Sequence, residues 1–126
     1  MSPQRTVRIA TASPETARCP ESKTRIVVKV GTRFLTGGTD RLDGDVMASL
    51  VAQVAELTRR ESEMILVSSG AVAAGGHVLG TMKHGKGLPA RQMLAAVGQT
   101  HLMRMYEERF EVHGVTVAQA LLSRRD

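Results

Sequence analysis

The sequence has no tryptophan, one tyrosine and two phenylalanines. Its core must therefore be built from Val, Leu, Ala, Ile and Met. The aromatic platforms on which single-stranded nucleic acid stacks are missing as well. The one cysteine, Cys19, excludes an intrachain disulfide and fits a reducing, cytoplasmic compartment. No apolar run is long enough to span a bilayer. The net charge of +5 and pI near 10.1 would attract anions. The positive charges are dispersed, however, and several sit in the N-terminal tail. Neither nucleic acid nor a membrane is expected as a partner. A chain of 126 residues fits one ordinary domain, or part of a larger one.

Residues 1–24 are rich in Pro, Ser, Thr, Ala and Arg, with little hydrophobic periodicity. They read as a disordered extension. The apolar core of a secretory signal is lacking. Glu15, Glu21, Pro14 and Pro20 argue against a mitochondrial transit peptide.

The first ordered stretch runs from Arg25 to Thr32. Ile26 to Val30 is an apolar, β-branched run interrupted by Lys29 and followed by Gly31 and Thr32. Such a run bounded by a turn signal predicts a buried strand. A lysine near its carboxyl end reaches the sheet edge, where open α/β sheets bind ligands. Gly31 permits close backbone approach, and Thr32 adds a hydroxyl and an N–H. Together they suit an anion; the plainer reading is an edge lysine snorkelling to water. Phe34 and Leu35 read as a short strand before the Gly37-Gly38 turn. Asp43 then caps a helix whose apolar stripe is Val46, Leu50, Val54 and Leu57, with Met47 and Val51 beside it.

Met64 to Val67 reads as a second strand, running directly into Ser68, Ser69, Gly70 and Ala71. A strand, a turn of small residues and a helix start make a natural anion site. The competing reading is an ordinary serine N-cap. Repetition favours the anion site. Two strands joined by a helical crossover, if parallel, place both turns on one sheet edge. The stretch Gly80 to Lys86 imitates a phosphate-binding loop. It follows a helix rather than a strand, and Gly87 stands where Ser or Thr is needed. It reads as a basic surface loop.

Leu88 and Pro89 open a long helix, with Leu102, Tyr106 and Phe110 at four-residue spacing and Gly114 as its stop. Gly98 inside it costs about 1 kcal/mol relative to Ala, which close packing or a ligand would explain. His77, His84, His101 and His113 have no partners at metal-ligand spacing, so no metal site is expected. Val115 to Leu122 reads as a third buried strand. The alternation of strands and amphipathic helices predicts an α/β fold, a three-layer α/β/α sandwich with a mainly parallel sheet.

Several blocks, in order, resemble the glutamate 5-kinase branch of the amino-acid kinase family. They are Ile26–Thr32, Val67–Gly75, Leu88-Pro89, Gln92, Leu94–Gln99 and Val117–Leu122. The resemblance implies transfer of the γ-phosphoryl of ATP, with Mg, to the side-chain carboxylate of L-glutamate. The product, glutamyl 5-phosphate, enters proline synthesis. It implies that Lys29 is catalytic and that Lys29, Gly31 and Thr32 meet ATP. Ser69, Gly70 and Ala71 match the glutamate-binding turn. A homo-oligomer is implied for the full-length form. Arg33 departs from the small residue common in the phosphate loop. The resemblance begins at Arg25 and stops about halfway through the family's kinase domain. Residues 25–126 are thus expected to be its N-terminal part, and the isolated chain to be inactive. The alternatives are a non-catalytic remnant that binds or regulates a full-length kinase, and an unrelated α/β anion-binding module.

Overall fold

In the computed structural model, residues 7–12, 24–80 and 87–122 are described. Four strands form one sheet: β1 (Val7–Ala12), β2 (Arg25–Val30), β3 (Glu63–Ser68) and β4 (Thr116–Leu121), in the order β2-β3-β1-β4. Four helices accompany them: α1 (Thr32–Thr36), α2 (Gly44–Arg59), α3 (Ala71–Leu79) and α4 (Leu88–Glu111).

The two long strands read from the sequence are parallel neighbours, as expected. Arg25 stands opposite Glu63, and Val30 opposite Ser68. The intervening crossover is α1 and α2, because parallel strands cannot be joined by a tight turn. Strand β1 pairs antiparallel with β3 on one side and β4 on the other. β2, β3 and β4 therefore share one direction, and β1 alone opposes them. This corrects one expectation: six residues of the extension predicted to be disordered are strand, and their antiparallel entry between β3 and β4 makes two of the three strand pairings antiparallel. The alternation of β-branched Val7, Ile9 and Thr11 was the available signal. Residues 1–6 and 13–23 lie outside the described residues, as does most of the loop that imitates a phosphate-binding motif.

Ile26, Val28 and Val30 turn toward the helices, with Met64, Leu66 and Ser68 beside them. Arg25, Val27 and Lys29 alternate onto the other face and are exposed. One helical layer of the α/β sandwich is thus present, and among the described residues none covers that second face at β2. Strand β4 was expected to be buried. Among the described residues it lies at the sheet edge, bonded only to β1, and all of it but Val117 is exposed.

Helix α2 starts where the sequence indicates: the Asp43 carboxylate accepts from the N–H groups of Asp45 and Val46 at 2.9 and 3.1 Å. Such a cap is worth about 1 kcal/mol. Met47, Leu50, Val51, Val54 and Ala55 are buried, while Val46 and Leu57 lie at the margin of the stripe. Phe34 and Leu35 belong to helix α1 and not to a strand. Leu35 donates to the Gly31 carbonyl at 3.3 Å, and its own carbonyl accepts from Asp43 N–H at 2.7 Å. Its side chain is fully buried while that of Phe34 is exposed. Arg109 fastens α4 to the start of α2 by donating from Nε to the Gly44 carbonyl at 3.1 Å.

Helices α3 and α4 meet backbone to backbone. A Cβ on Gly98 would lie 1.7 Å from the Ala71 carbonyl oxygen and 2.3 Å from the Gly75 nitrogen. A Cβ on Gly75 would lie 1.9 Å from the Leu94 carbonyl oxygen. Close packing therefore accounts for glycine inside α4. Gly98→Ala is expected to separate the two helices and destabilise the chain by about 1–3 kcal/mol, as overpacking does. Denaturant unfolding measures this, and an unchanged midpoint would show that the contact is looser in solution.

Candidate functional site

The parallel ladder does not stop at Val30 and Ser68. Ser69 N–H donates to the Val30 carbonyl at 2.9 Å, one residue past the paired strands. This bond sets the turn beginning at Gly31 beside the turn beginning at Ser69, both at the carboxyl edge of the sheet. The sequence expectation required that juxtaposition.

Lys29 stands opposite Val67 in the ladder and is exposed. It forms no ion pair among the described residues. Its ammonium is therefore available to an anion at the open face. Gly31 is extended, with φ −85° and ψ 160°, and a Cβ built on it meets nothing within 4 Å. The space beside its backbone is open. Thr32, the first residue of α1, and Arg33 are both exposed. The Arg33 carbonyl accepts from Gly38 N–H at 3.2 Å, closing the short helix on itself.

At the second turn the N-cap of α3 is Gly70, and no side chain caps the helix. The serine-cap reading therefore gives way. The first N–H groups of α3, beginning at Ala71, have no intrahelical acceptor, and the helix dipole adds partial positive charge there. Gly70 has φ +109°, a region that side-chain-bearing residues rarely adopt, and a Cβ would press on Leu35 at 3.3 Å and Leu42 at 3.4 Å. Glycine is needed here both for its backbone and for its lack of a side chain.

One supporting pair was not foreseen. Ser68 is 2 % exposed, and its hydroxyl lies 2.7 Å from the Tyr106 hydroxyl while donating to the Ser69 carbonyl at 2.9 Å. With that proton committed to Ser69, the tyrosine proton goes to Ser68. The chain from α4 to β3 holds the turn at its base. A lone tyrosine on an apolar stripe was the clue, because a buried phenol must find a partner.

Three of the four histidines are among the described residues; His84 lies outside them. His77 and His101 stack across α3 and α4 with centroids 5.8 Å apart. The His113 ring nitrogen lies 3.3 Å from an Arg59 guanidinium nitrogen. Among the described residues no three His, Cys, Asp or Glu side chains group as metal ligands do, and no helix is long and apolar enough to cross a membrane.

The Amino acid kinase family profile matches residues 24–126. The chain belongs to this family. It is 51% identical over 102 residues to a Glutamate 5-kinase of Dehalococcoides mccartyi (strain CBDB1) and 52% identical over the same length to that of Herpetosiphon aurantiacus. The Glutamate 5-kinase of Pelobacter propionicus is 46% identical. Each alignment covers 81% of this chain but only 27–28% of the relative. The chain thus spans about a quarter of the length of the curated relatives it matches. Strand β1 lies outside the family match, whereas both turns lie within it.

Tyr106 is the only tyrosine, and tryptophan is absent, so tyrosinate absorbance reports on this residue alone. Burial pushes its hydroxyl up from the ordinary 10 to about 12, against a smaller opposing effect of the Ser68 hydrogen bond. The folded state holds the proton more tightly than the unfolded one. The resulting stability is complete below pH 10 and is lost as pH rises through about 12. Tyrosinate absorbance is expected to appear near that upper value or together with unfolding. A titration at the ordinary value in a still-folded chain would contradict the burial of Tyr106.

Proposed function

We propose that this chain carries the phosphate turn and the acceptor turn of an ATP-dependent kinase acting on the side-chain carboxylate of L-glutamate. The observation that carries the reading is the Ser69–Val30 backbone bond, which sets the two turns side by side. The relatives named Glutamate 5-kinase supply the substrate.

Donor and acceptor are both anions, so the site must hold them together against repulsion. Phosphoryl transfer depends chiefly on positioning and charge stabilisation. Lys29 contributes the cation. It meets the ATP phosphates and stabilises the charge that spreads over the transferred group. Gly31 and Thr32 let the phosphates approach the backbone. Ser69, Gly70 and Ala71 take the acceptor through the serine hydroxyl and the open N–H groups of α3. The carboxylate oxygen attacks phosphorus directly, so no nucleophile from the protein enters. The described turns offer no carboxylate cluster for magnesium, so the ion would arrive with the nucleotide, and no step is assigned through it. The same reading makes this a cytoplasmic enzyme of proline synthesis, oligomeric in its full-length form.

Two measurements test the assignment. Residues 25–126 joined to the remaining sequence of the D. mccartyi relative should release ADP only when glutamate is present. Lys29→Met in that protein should lower turnover by roughly a hundredfold or more, the scale of losing one charge-stabilising group. Its melting temperature should hardly change, since Lys29 is exposed. Retained turnover would remove Lys29 from the chemistry. The 126-residue chain alone is expected to show no ADP release above its own Lys29→Met control, because one side of the site cannot align the reactants.

A further inference from the structure

Strand β1 fills a position whose two walls come from elsewhere in the chain. Val7 to Ala10 pair with β3, and Val7 to Ala12 pair with β4, both antiparallel. The match to the Amino acid kinase family takes in β3 and β4 and leaves β1 out. The walls are thus family structure, and the strand between them is not.

Each wall is held without β1. Strand β3 is paired with β2 along its other side, from Glu63 to Ser68. Strand β4 is fixed by the end of α4. Phe110 is fully buried, and its carbonyl accepts from His113 and Val115 N–H at 3.0 and 3.1 Å. Gly114, with φ +67°, lets the chain turn there. Val115 and Val117 then pack against the core. Two strands with one between them lie about 10 Å apart, so β3 and β4 enclose the width of a single strand. Without β1 both walls would present rows of unpaired N–H and C=O groups, which recruit an extended segment. Neither wall carries a charged side chain from Met64 to Ser68 or from Thr116 to Leu121. The segment that fits is therefore a mainly apolar one.

The tether of β1 is slack. Ala10 and Val27 both stand opposite Ile65, one on each side of β3, so the end of β1 and the start of β2 lie at one level of the sheet. Those ends are about 10 Å apart. Residues 13–24 join them, a length of chain that spans roughly 40 Å when extended. Strand β1 can leave its place without moving β2. Once out, it remains at an effective concentration in about the millimolar range, which returns it to the same place.

We propose that the space between β3 and β4 is a preformed strand-binding groove and that residues 7–12 are its detachable internal ligand. A second extended, mainly apolar polypeptide replaces them by pairing its backbone with both walls. Affinity comes from main-chain hydrogen bonds, as in other cases of strand addition. The tethered segment sets the threshold that a replacing strand must exceed. The groove is independent of the chemistry assigned to Lys29 and the two turns.

Amide hydrogen exchange on the full 126-residue chain tests detachment. The amides of β1 and β4 should exchange together, roughly tenfold or more faster than those joining β2 to β3, because a separate opening needs less free energy than global unfolding. A labelled peptide with the sequence of residues 6–13 tests the groove. Its binding is measured on the unaltered chain and on Ile9→Pro. Proline cannot donate to the ladder and is excluded from central strands, so the variant should leave the groove free. The peptide should bind Ile9→Pro roughly tenfold or more tighter than the unaltered chain, where it competes with the tethered segment. The same peptide carrying the proline should bind neither. Concentration-dependent dimers of the unaltered chain, absent from Ile9→Pro, would support the groove with residues 7–12 of a second copy as the replacing strand. Exchange of β1 in one global step with β2 and β3 would show an integral strand and overturn the proposal, even if Ile9→Pro fails to fold. Equal peptide binding by both folded chains, or binding by neither, overturns it as well. Each of these results leaves the proposed function standing.

Discussion

The closest constraint in the structure is the meeting of α3 and α4 without side chains between them. With hydrogen atoms at Gly75 and Gly98, the backbones touch at Ala71 and Leu94. That distance decides where α3 begins. It also decides how near α4 comes to the turn between β3 and α3, where Leu102 faces Gly70 and Tyr106 meets Ser68. The tolerance is small, because interiors are packed as densely as organic crystals and a single methyl group is felt.

A second constraint belongs to the sheet. Parallel pairing of β2 and β3 continues one hydrogen bond beyond the strands, which turns two separate strand ends into one edge. Each turn alone would be an ordinary loop. Side by side they bring a cation, an open glycine and uncapped helical N–H groups to one place. Charge of that kind attracts anions. Ser68 and Tyr106 hold the base of this arrangement from inside the core, so its geometry does not depend on the loops themselves.

Strand β1 shows how a segment outside the family match becomes part of the sheet. It lies between β3 and β4 and pairs with all six residues of β4. β4 reaches the rest of the sheet only through it. Among the described residues nothing pairs with the far side of β4, and such edges invite pairing with further strands.

The sequence by itself determined the parts whose causes are local. Apolar spacing placed β2, β3, α2 and α4, Asp43 marked the start of α2, and Gly114 marked the end of α4. That a turn of small residues follows directly on each of β2 and β3 was legible too, with Lys29, Gly31 and Thr32 at the first and Ser69, Gly70 and Ala71 at the second. The helical state of Phe34 and Leu35 was not legible. It depends on Asp43 bonding back to Leu35 and on the burial of Leu35 in the core. Only the tertiary structure decided that β1 enters the sheet, that β4 is an exposed edge, and that Gly98 is a contact between helices. It also brought Tyr106 to Ser68 across 38 residues of chain and left the amide of Gln99 without a partner. The physical reason is the same in each case. Periodicity and capping act within a few residues, whereas strand order, backbone contact and polar pairing depend on distances between remote segments, which exist only once the core has closed.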